Sequence, residues 1–220
     1  MGTVLAALAF AEIAREVAAR EGMARVDRHL ESFVVAHRVG WVTSVAQVAA
    51  WVGSSFFLIP MIAIVGGYIR LKHHDWKPLI KLAAALGGAI ALYNAFKLLI
   101  DRARPPASMR VGSPMPGSSF PSGHTTEATA VWGMVAILVA GAMTRRRWLP
   151  ALGALLVILI VGVVRIYLGT HWLSDVLAGC ALGGAWLGVA AAVMLGVGGR
   201  SATHEHDSVP ARSTSRDPPG

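Results

Sequence analysis

The sequence predicts an all-α fold: a polytopic membrane helix bundle with five clear spans and a short or interfacial helix at the N-terminus. Three observations carry this. The 220-residue chain is 55% hydrophobic and 15% charged, whereas soluble domains carry about 25% charged residues. The apolar residues come in blocks of membrane-spanning length rather than as amphipathic stripes. The basic residues behind the formal charge of +8 gather in short loops between blocks, as orientation signals do, and not in a nucleic-acid-binding patch.

Residues 1–40 form a first region of short or interfacial helices. Val4–Phe10 is apolar, but Glu12, Arg15 and Glu16 interrupt it before the roughly 20 residues a span needs. Asp27–Arg38 mixes charged and apolar positions and reads as an interfacial helix. The second region, 41–197, holds the spans. The first lies within Val45–Ile69, with Gly53-Ser54-Ser55 marking a break between an interfacial helix and the span proper. Pro78–Ile100 is the second, and it ends on polar Asn94, Lys97 and Asp101. A proline-broken loop over 102–119 leads to spans at about His124–Met143, Leu149–Leu168 and Leu173–Val197. In the last of these Gly183-Gly184 and Gly188 suit close helix packing. Residues 198–220 are Ser, Pro, Arg and Asp without apolar period and read as a disordered cytoplasmic tail, whose His204-Glu205-His206-Asp207 is more simply solvated than metal-binding. The lone Cys180 excludes an internal disulfide.

Arg70, Lys72 and Lys77 flank one turn, Arg145–Arg147 another, and Arg200 begins the tail. With alternating spans all three fall on one side, which is therefore cytoplasmic. Three polar clusters then meet on the opposite face. The first runs from Lys97 to Arg104-Pro105, about two helical turns, with Asp101 placed to pair with Lys97 or Arg104. A snorkelling helix end explains most of it, but not a lysine inside the span. The second is Phe120-Pro121-Ser122-Gly123-His124, a helix start. Ser122 is a natural cap, Gly123 allows close backbone approach, and the free N–H groups attract an anion beside His124. The third is Val164-Arg165 followed by His171 and Asp175, which on a helix would share one face. A carboxylate holding one ring nitrogen leaves the other oriented as nucleophile or base; a plain helix-start pair is the blander alternative. Glu127, one turn past His124, either holds that histidine protonated or bonds a hydroxyl in the bundle.

In this order and spacing, Lys97 to Arg104-Pro105, Pro121-Ser122-Gly123-His124, then Arg165, His171 and Asp175, the sequence resembles the type 2 phosphatidic acid phosphatase superfamily of membrane lipid phosphatases. The family pattern is K-x6-R-P, P-S-G-H and S-R-x5-H-x3-D, and the resemblance covers about Val42 to Val197. The chain departs from it at Val164, where the family usually has serine, and at the N-terminus, where the family's first span looks short. The resemblance implies a six-helix core and a phosphatase site. His171 would attack phosphorus to form a phosphohistidine, Asp175 would orient it, and His124 would protonate the leaving group. Lys97, Arg104, Arg165 and the backbone near Ser122 and Gly123 would hold the phosphate. Three fixed cations do the charge work of a metal, so no metal and no cofactor are expected.

The substrate class is then a lipid phosphate or diphosphate, either a polyprenyl pyrophosphate such as the undecaprenyl carrier or a phosphate of glycerophospholipid metabolism, met at the extracytoplasmic side of the cell membrane. The bilayer is the other partner, nucleic acid is not expected, and the oligomeric state is not legible. Two other readings compete. A vanadium-dependent haloperoxidase shares the phosphate-site pattern but is typically soluble, against the apolar spans. A non-catalytic anion-binding membrane protein would need the cations but not His171 over Asp175.

Overall fold

Within a bilayer each backbone N–H and C=O has to be satisfied inside its own segment, so every long apolar block closes into a helix. The computed structural model describes residues 1–20, 22–112 and 116–206, with side chains to Met194. Its helices are α1 (Gly2–Ala19), α2 (Met23–Ala36), α3 (Gly40–Ala49), α4 (Ser55–His73), α5 (Lys77–Ile100), α6 (Gly123–Ala142), α7 (Leu149–Tyr167) and α8 (Leu173–His206). Five are long and apolar enough to cross a membrane: α4, α5, α6, α7 and α8 over Leu173–Met194. Proline starts α5 and α7, where its missing N–H costs nothing. The expected break before the first span is present: a 3-10 turn covers Ala50–Gly53 and α4 begins at Ser55. Helix α8 continues past Gly198, where the sequence reading places the start of the tail; residues 207–220, and the side chains of His204, Glu205 and His206, lie outside the described part.

The bundle closes on an apolar core of Leu58, Ile62, Leu82, Leu86, Val131 and Met134 with small alanines between them. Large apolar side chains such as Phe56, Ile64, Leu98 and Val163 remain exposed, as the lipid-facing surface of a membrane bundle requires. Helices α6 and α8 approach closely through Gly183, where an added Cβ would come within 2.7 Å of the Thr126 carbonyl oxygen. Small residues permit such contacts where no hydrophobic force drives helices together in lipid.

Helix α1 resolves the unclear N-terminus. It packs along α8, with Thr3 against Gly188, Ala6 near Gly184, and Phe10 and Val17 in a cluster with Leu182 and Ala178. The pairing runs in opposite directions along the two chains, so α1 is an antiparallel sixth helix of the bundle. Its charged Glu12 and Arg15 pair with each other on an exposed face, at 2.6 Å. Phe10 also touches the rings of Phe96 and Phe120, with centroids 4.5 and 5.9 Å away. Through Phe120, which is fully buried, α1 braces the segment leading into α6.

Helices α2 and α3 cover one end of the bundle, where α5 ends, α6 starts, and α7 turns into α8. An interfacial helix would expose its charges, but α2 turns Asp27 and Glu31 inward to 2% and 1% exposure. Their spacing of four places both on the face that meets α7 and α8.

Candidate active site

The three sequence clusters converge beneath α2 and α3. The turn between α7 and α8 needs Gly169, whose φ is +67° and whose missing Cβ leaves room for the Met109 carbonyl. The turn drops His171 into the protein at 1% exposure. His171 precedes α8, which begins at Leu173, so the expectation that His171 and Asp175 share a helix face is corrected: the pair spans a helix cap. Asp175 reaches back to accept the Trp172 N–H at Oδ2, 3.0 Å, as a capping-box acid does, and the same oxygen lies 3.5 Å from His171 Nδ1. The other ring nitrogen, Nε2, lies 3.4 Å from an Arg104 guanidinium nitrogen. Burial pushes the His171 pKa down to about 4, against the upward pull of Asp175, and Arg165 lowers it further.

Arg104 is itself fixed by three carbonyls, donating to Thr170, Gly117 and Ser118 at 2.9, 3.1 and 3.2 Å. Arg165, 4% exposed at the end of α7, shares a cleft with His124. Lys97 stands on α5 with its ammonium 5.5 Å from the Tyr93 ring centroid. Asp101, expected to pair with Lys97 or Arg104, forms neither ion pair: it ends α5 in a left-handed conformation, and Arg102 takes the place of charge partner in this cluster.

Ser122 is the N-cap of α6 as the sequence indicates, but its hydroxyl does not cap. It accepts from Thr125 Oγ1 at 3.0 Å, while the Ser122 N–H donates to the Asp175 carbonyl at 3.0 Å and ties the two helix starts together. At Gly123 the backbone passes close to the Tyr93 ring, which would lie a tight 3.2 Å from an added Cβ. His124 follows, within electrostatic reach of Arg165, His171, Lys97 and Arg104. Every residue singled out in the three motifs thus lies in one neighbourhood. Glu127 takes the hydroxyl alternative: its carboxylate accepts from Ser55 at 2.6 Å, with Tyr93 as a further partner.

A sequence model of the PAP2 superfamily matches residues 78–197, more than half of the chain. The chain belongs to the PAP2 superfamily. It is 29% identical over 160 residues to phosphatidylglycerophosphatase B of Bacillus subtilis (strain 168), covering 71% of this chain and 77% of that one. The fold is similar to the crystal structure of a transmembrane PAP2-type phosphatidylglycerolphosphate phosphatase from Bacillus subtilis, with TM-score 0.79, 26% identity, and coverage of 87% and 95%. It also resembles Aquifex aeolicus LpxE in fold, with TM-score 0.60 and 21% identity over 75% of this chain and 94% of that one. The protein is therefore a multi-pass membrane phosphatase of the PAP2 family.

Within this PAP2 site Val164 is buried against Ala46, Ala50 and Leu168, so its side chain serves the contact with α3. Sequence reasoning missed Arg102, Asp27, Ser174 and Tyr93. Arg102 carried a signal, as a second arginine in the cluster that ends α5. Asp27 carried none, because its partners are more than 70 residues away.

Proposed function

We propose that this PAP2 protein hydrolyses a lipid phosphate or diphosphate at the extracytoplasmic face through a phosphohistidine on His171, without a metal. The observation that carries the reading is the environment of His171: a buried imidazole with Nδ1 toward a carboxylate and Nε2 toward the Arg104 guanidinium. Phosphate binding alone needs only cations; a carboxylate behind the ring suits a nucleophile. A phosphoryl group lodged between Lys97, Arg104 and Arg165 would meet Nε2 with its charge offset, and the start of α6 at Gly123 would add its N–H; the Ser122 N–H, expected to join it, is engaged by the Asp175 carbonyl. His171 Nε2 attacks phosphorus as the bond to the lipid oxygen breaks, and His124 donates the proton that oxygen needs. Water then attacks the phosphohistidine, loses a proton to His124, and inorganic phosphate departs. The names of the Bacillus subtilis relatives favour a glycerophospholipid phosphate over a polyprenyl diphosphate. An outward-facing site is supported by the basic loops at 70–77 and 145–147, which join the helix ends remote from the site.

The test is phosphate release in detergent from a panel of lipid monophosphates and diphosphates. Activity is expected to survive EDTA and to be inhibited by orthovanadate, a mimic of five-coordinate phosphorus. Loss in EDTA with recovery in Mg²⁺ sinks the metal-free site. For sidedness, a cysteine at the exposed Ser108 is expected to react with an impermeant thiol reagent in intact cells, and one at Thr144 is not. The reverse labelling moves the site to the inner leaflet.

A further inference from the structure

Behind His171 lies a set of buried charges that the reaction above does not use. While Oδ2 of Asp175 faces the imidazole and the Trp172 N–H, Oδ1 accepts from Nη1 of Arg102. Nη1 also donates to Ser174 Oγ at 2.6 Å, and Nη2 donates to Oδ2 of Asp27 at 2.7 Å. Asp27 closes the ring: its Oδ1 accepts the Ser174 N–H at 3.0 Å and its Oδ2 the Ser174 hydroxyl at 2.6 Å. Two carboxylates at 0% and 2% exposure, from helices α8 and α2, thus share one guanidinium. The guanidinium is further held against the Trp172 ring, 5.7 Å from its centroid.

Such an arrangement has two consequences. A buried carboxylate with one oxygen on a fixed arginine cannot rotate, so its other oxygen keeps its aim. The charge Asp175 presents to His171 also depends on how much of the guanidinium is already neutralised by Asp27. We propose that Arg102 and Asp27 are positioning residues for the His171–Asp175 pair: Arg102 aims the carboxylate and moderates its pull on the imidazole proton, and Asp27 holds Arg102 in place. The catalytic consequence rests on His171 being the nucleophile, as proposed above; the electrostatic one does not. Asp175 is faced by His171 and the Trp172 N–H from its own end of α8, and by Arg102 from the α5 exit. Lys97, Arg104 and Arg165 act on the pair from α5, the following loop and α7, and Asp27 acts from α2. Arg102 contacts the carboxylate oxygen turned away from the ring.

The signs follow from the charges. Without the arginine charge, Asp175 stabilises imidazolium more strongly, so the His171 titration moves to higher pH. Without the Asp27 charge, Arg102 is less neutralised and the titration stays or moves lower. The experiment follows the His171 imidazole by ¹⁵N NMR in histidine-labelled protein in detergent, with His171→Asn identifying the signal. Arg102→Gln is expected to raise the midpoint by about one pH unit, the size of a lost close charge. Arg102→Lys, which keeps the charge, is expected to stay near wild type, and Asp27→Asn to show no rise. At neutral pH Arg102→Gln is expected to lower kcat about ten- to a hundred-fold with little change in KM, the usual cost of removing an orienting partner. An unmoved midpoint in Arg102→Gln, or a rise in both Arg102→Gln and Asp27→Asn, overturns the proposal and leaves Arg102 a structural strut. Should Arg102→Gln fail to fold, a rise in Asp27→Asn alone overturns it and its absence supports it. A wild-type protein that releases phosphate from no lipid sinks the proposed function, while the imidazole midpoints still decide this one.

Discussion

The starts of α6 and α8 each bring a histidine to the site, and the chain holds the two rings in different ways. His124 is the second residue of α6, so the helix backbone sets its direction, and its nearest acid on the same helix, Glu127, is engaged by Ser55. His171 stands before α8, outside the helix, and side chains set its direction: Asp175 behind it and Arg104 in front. A ring aimed by the backbone without a charge partner can pick up and release a proton. A ring held by a carboxylate is pre-oriented for attack and steadied when it gains positive character. The difference supports the proposed reading, with His171 before α8 as the nucleophile and His124 on α6 as the acid.

The largest effect that can break this assignment is a paired substitution. On the proposed reading His171→Ala removes the covalent route and is expected to cost at least about 10⁴-fold in turnover on every substrate. His124→Ala is expected to cost roughly 10²- to 10⁴-fold on a lipid alkyl phosphate, where the leaving oxygen needs a proton. On p-nitrophenyl phosphate, which leaves as a stable anion, the loss should be far smaller. The measurement is the ratio of rates on the two substrates in folded, detergent-purified variants. Equal proportional losses for His124→Ala on both leave it as one more phosphate ligand.

Next in size is the pH profile. The attacking imidazole has to be neutral, and burial pushes the His171 pKa down to about 4. The acidic limb of kcat/KM, which reports the free enzyme, is therefore expected near pH 4 rather than near 6.5. At pH 5.5 the enzyme should keep most of its kcat/KM on a substrate whose own ionisation is constant there. A limb at 6 or above, with the protein still folded, counts against a buried His171 as nucleophile. A smaller effect tests the other helix: Glu127→Gln keeps a hydrogen bond to Ser55 and is expected to change turnover only a few-fold. A loss as large as that of His124→Ala would return Glu127 to the role of charge partner for that histidine.

The same contrast explains what was legible in the sequence. The five spans, the break before Ser55 and the convergence of the three motifs could be read, because span length and motif spacing are local properties. Asp101 was misassigned because helical spacing puts it near Lys97, while its left-handed backbone turns the chain and delivers Arg102 to Asp175 instead. Helix α1 was undervalued because Glu12 and Arg15 interrupt its apolar run; the two pair with each other on the face turned away from α8. The burial of Asp27 and Glu31 left no trace, since an acid at the surface and an acid closing a buried network look alike along the chain.

Glu31 provides the last and smallest test, because it is a buried charge that α2 brings beneath the turn between α7 and α8. It is 1% exposed and lies near the space that Gly169 leaves open, with Arg38 3.5 Å away. Burial pushes its pKa from the ordinary 4.5 up to about 7; Arg38 pulls it down and Asp27 adds to the rise. A carboxyl with a raised folded-state pKa stabilises the fold fully below its unfolded value, and that contribution is lost as pH rises through the folded value. Stability from this group therefore falls between pH 4.5 and about 7, by an amount on the order of 3 kcal/mol. Glu31→Gln removes the titration, and Arg38 keeps its bond to the Tyr167 carbonyl at 2.8 Å. The variant is expected to match wild type in thermal midpoint at pH 5 and to exceed it at pH 8. Phosphatase activity on p-nitrophenyl phosphate should stay within a few-fold at both pH values, since Glu31 touches none of the residues that would hold phosphate. An equal shift in midpoint at pH 5 and pH 8 would show that packing, and not the buried charge beneath the α7–α8 turn, is what the substitution changes.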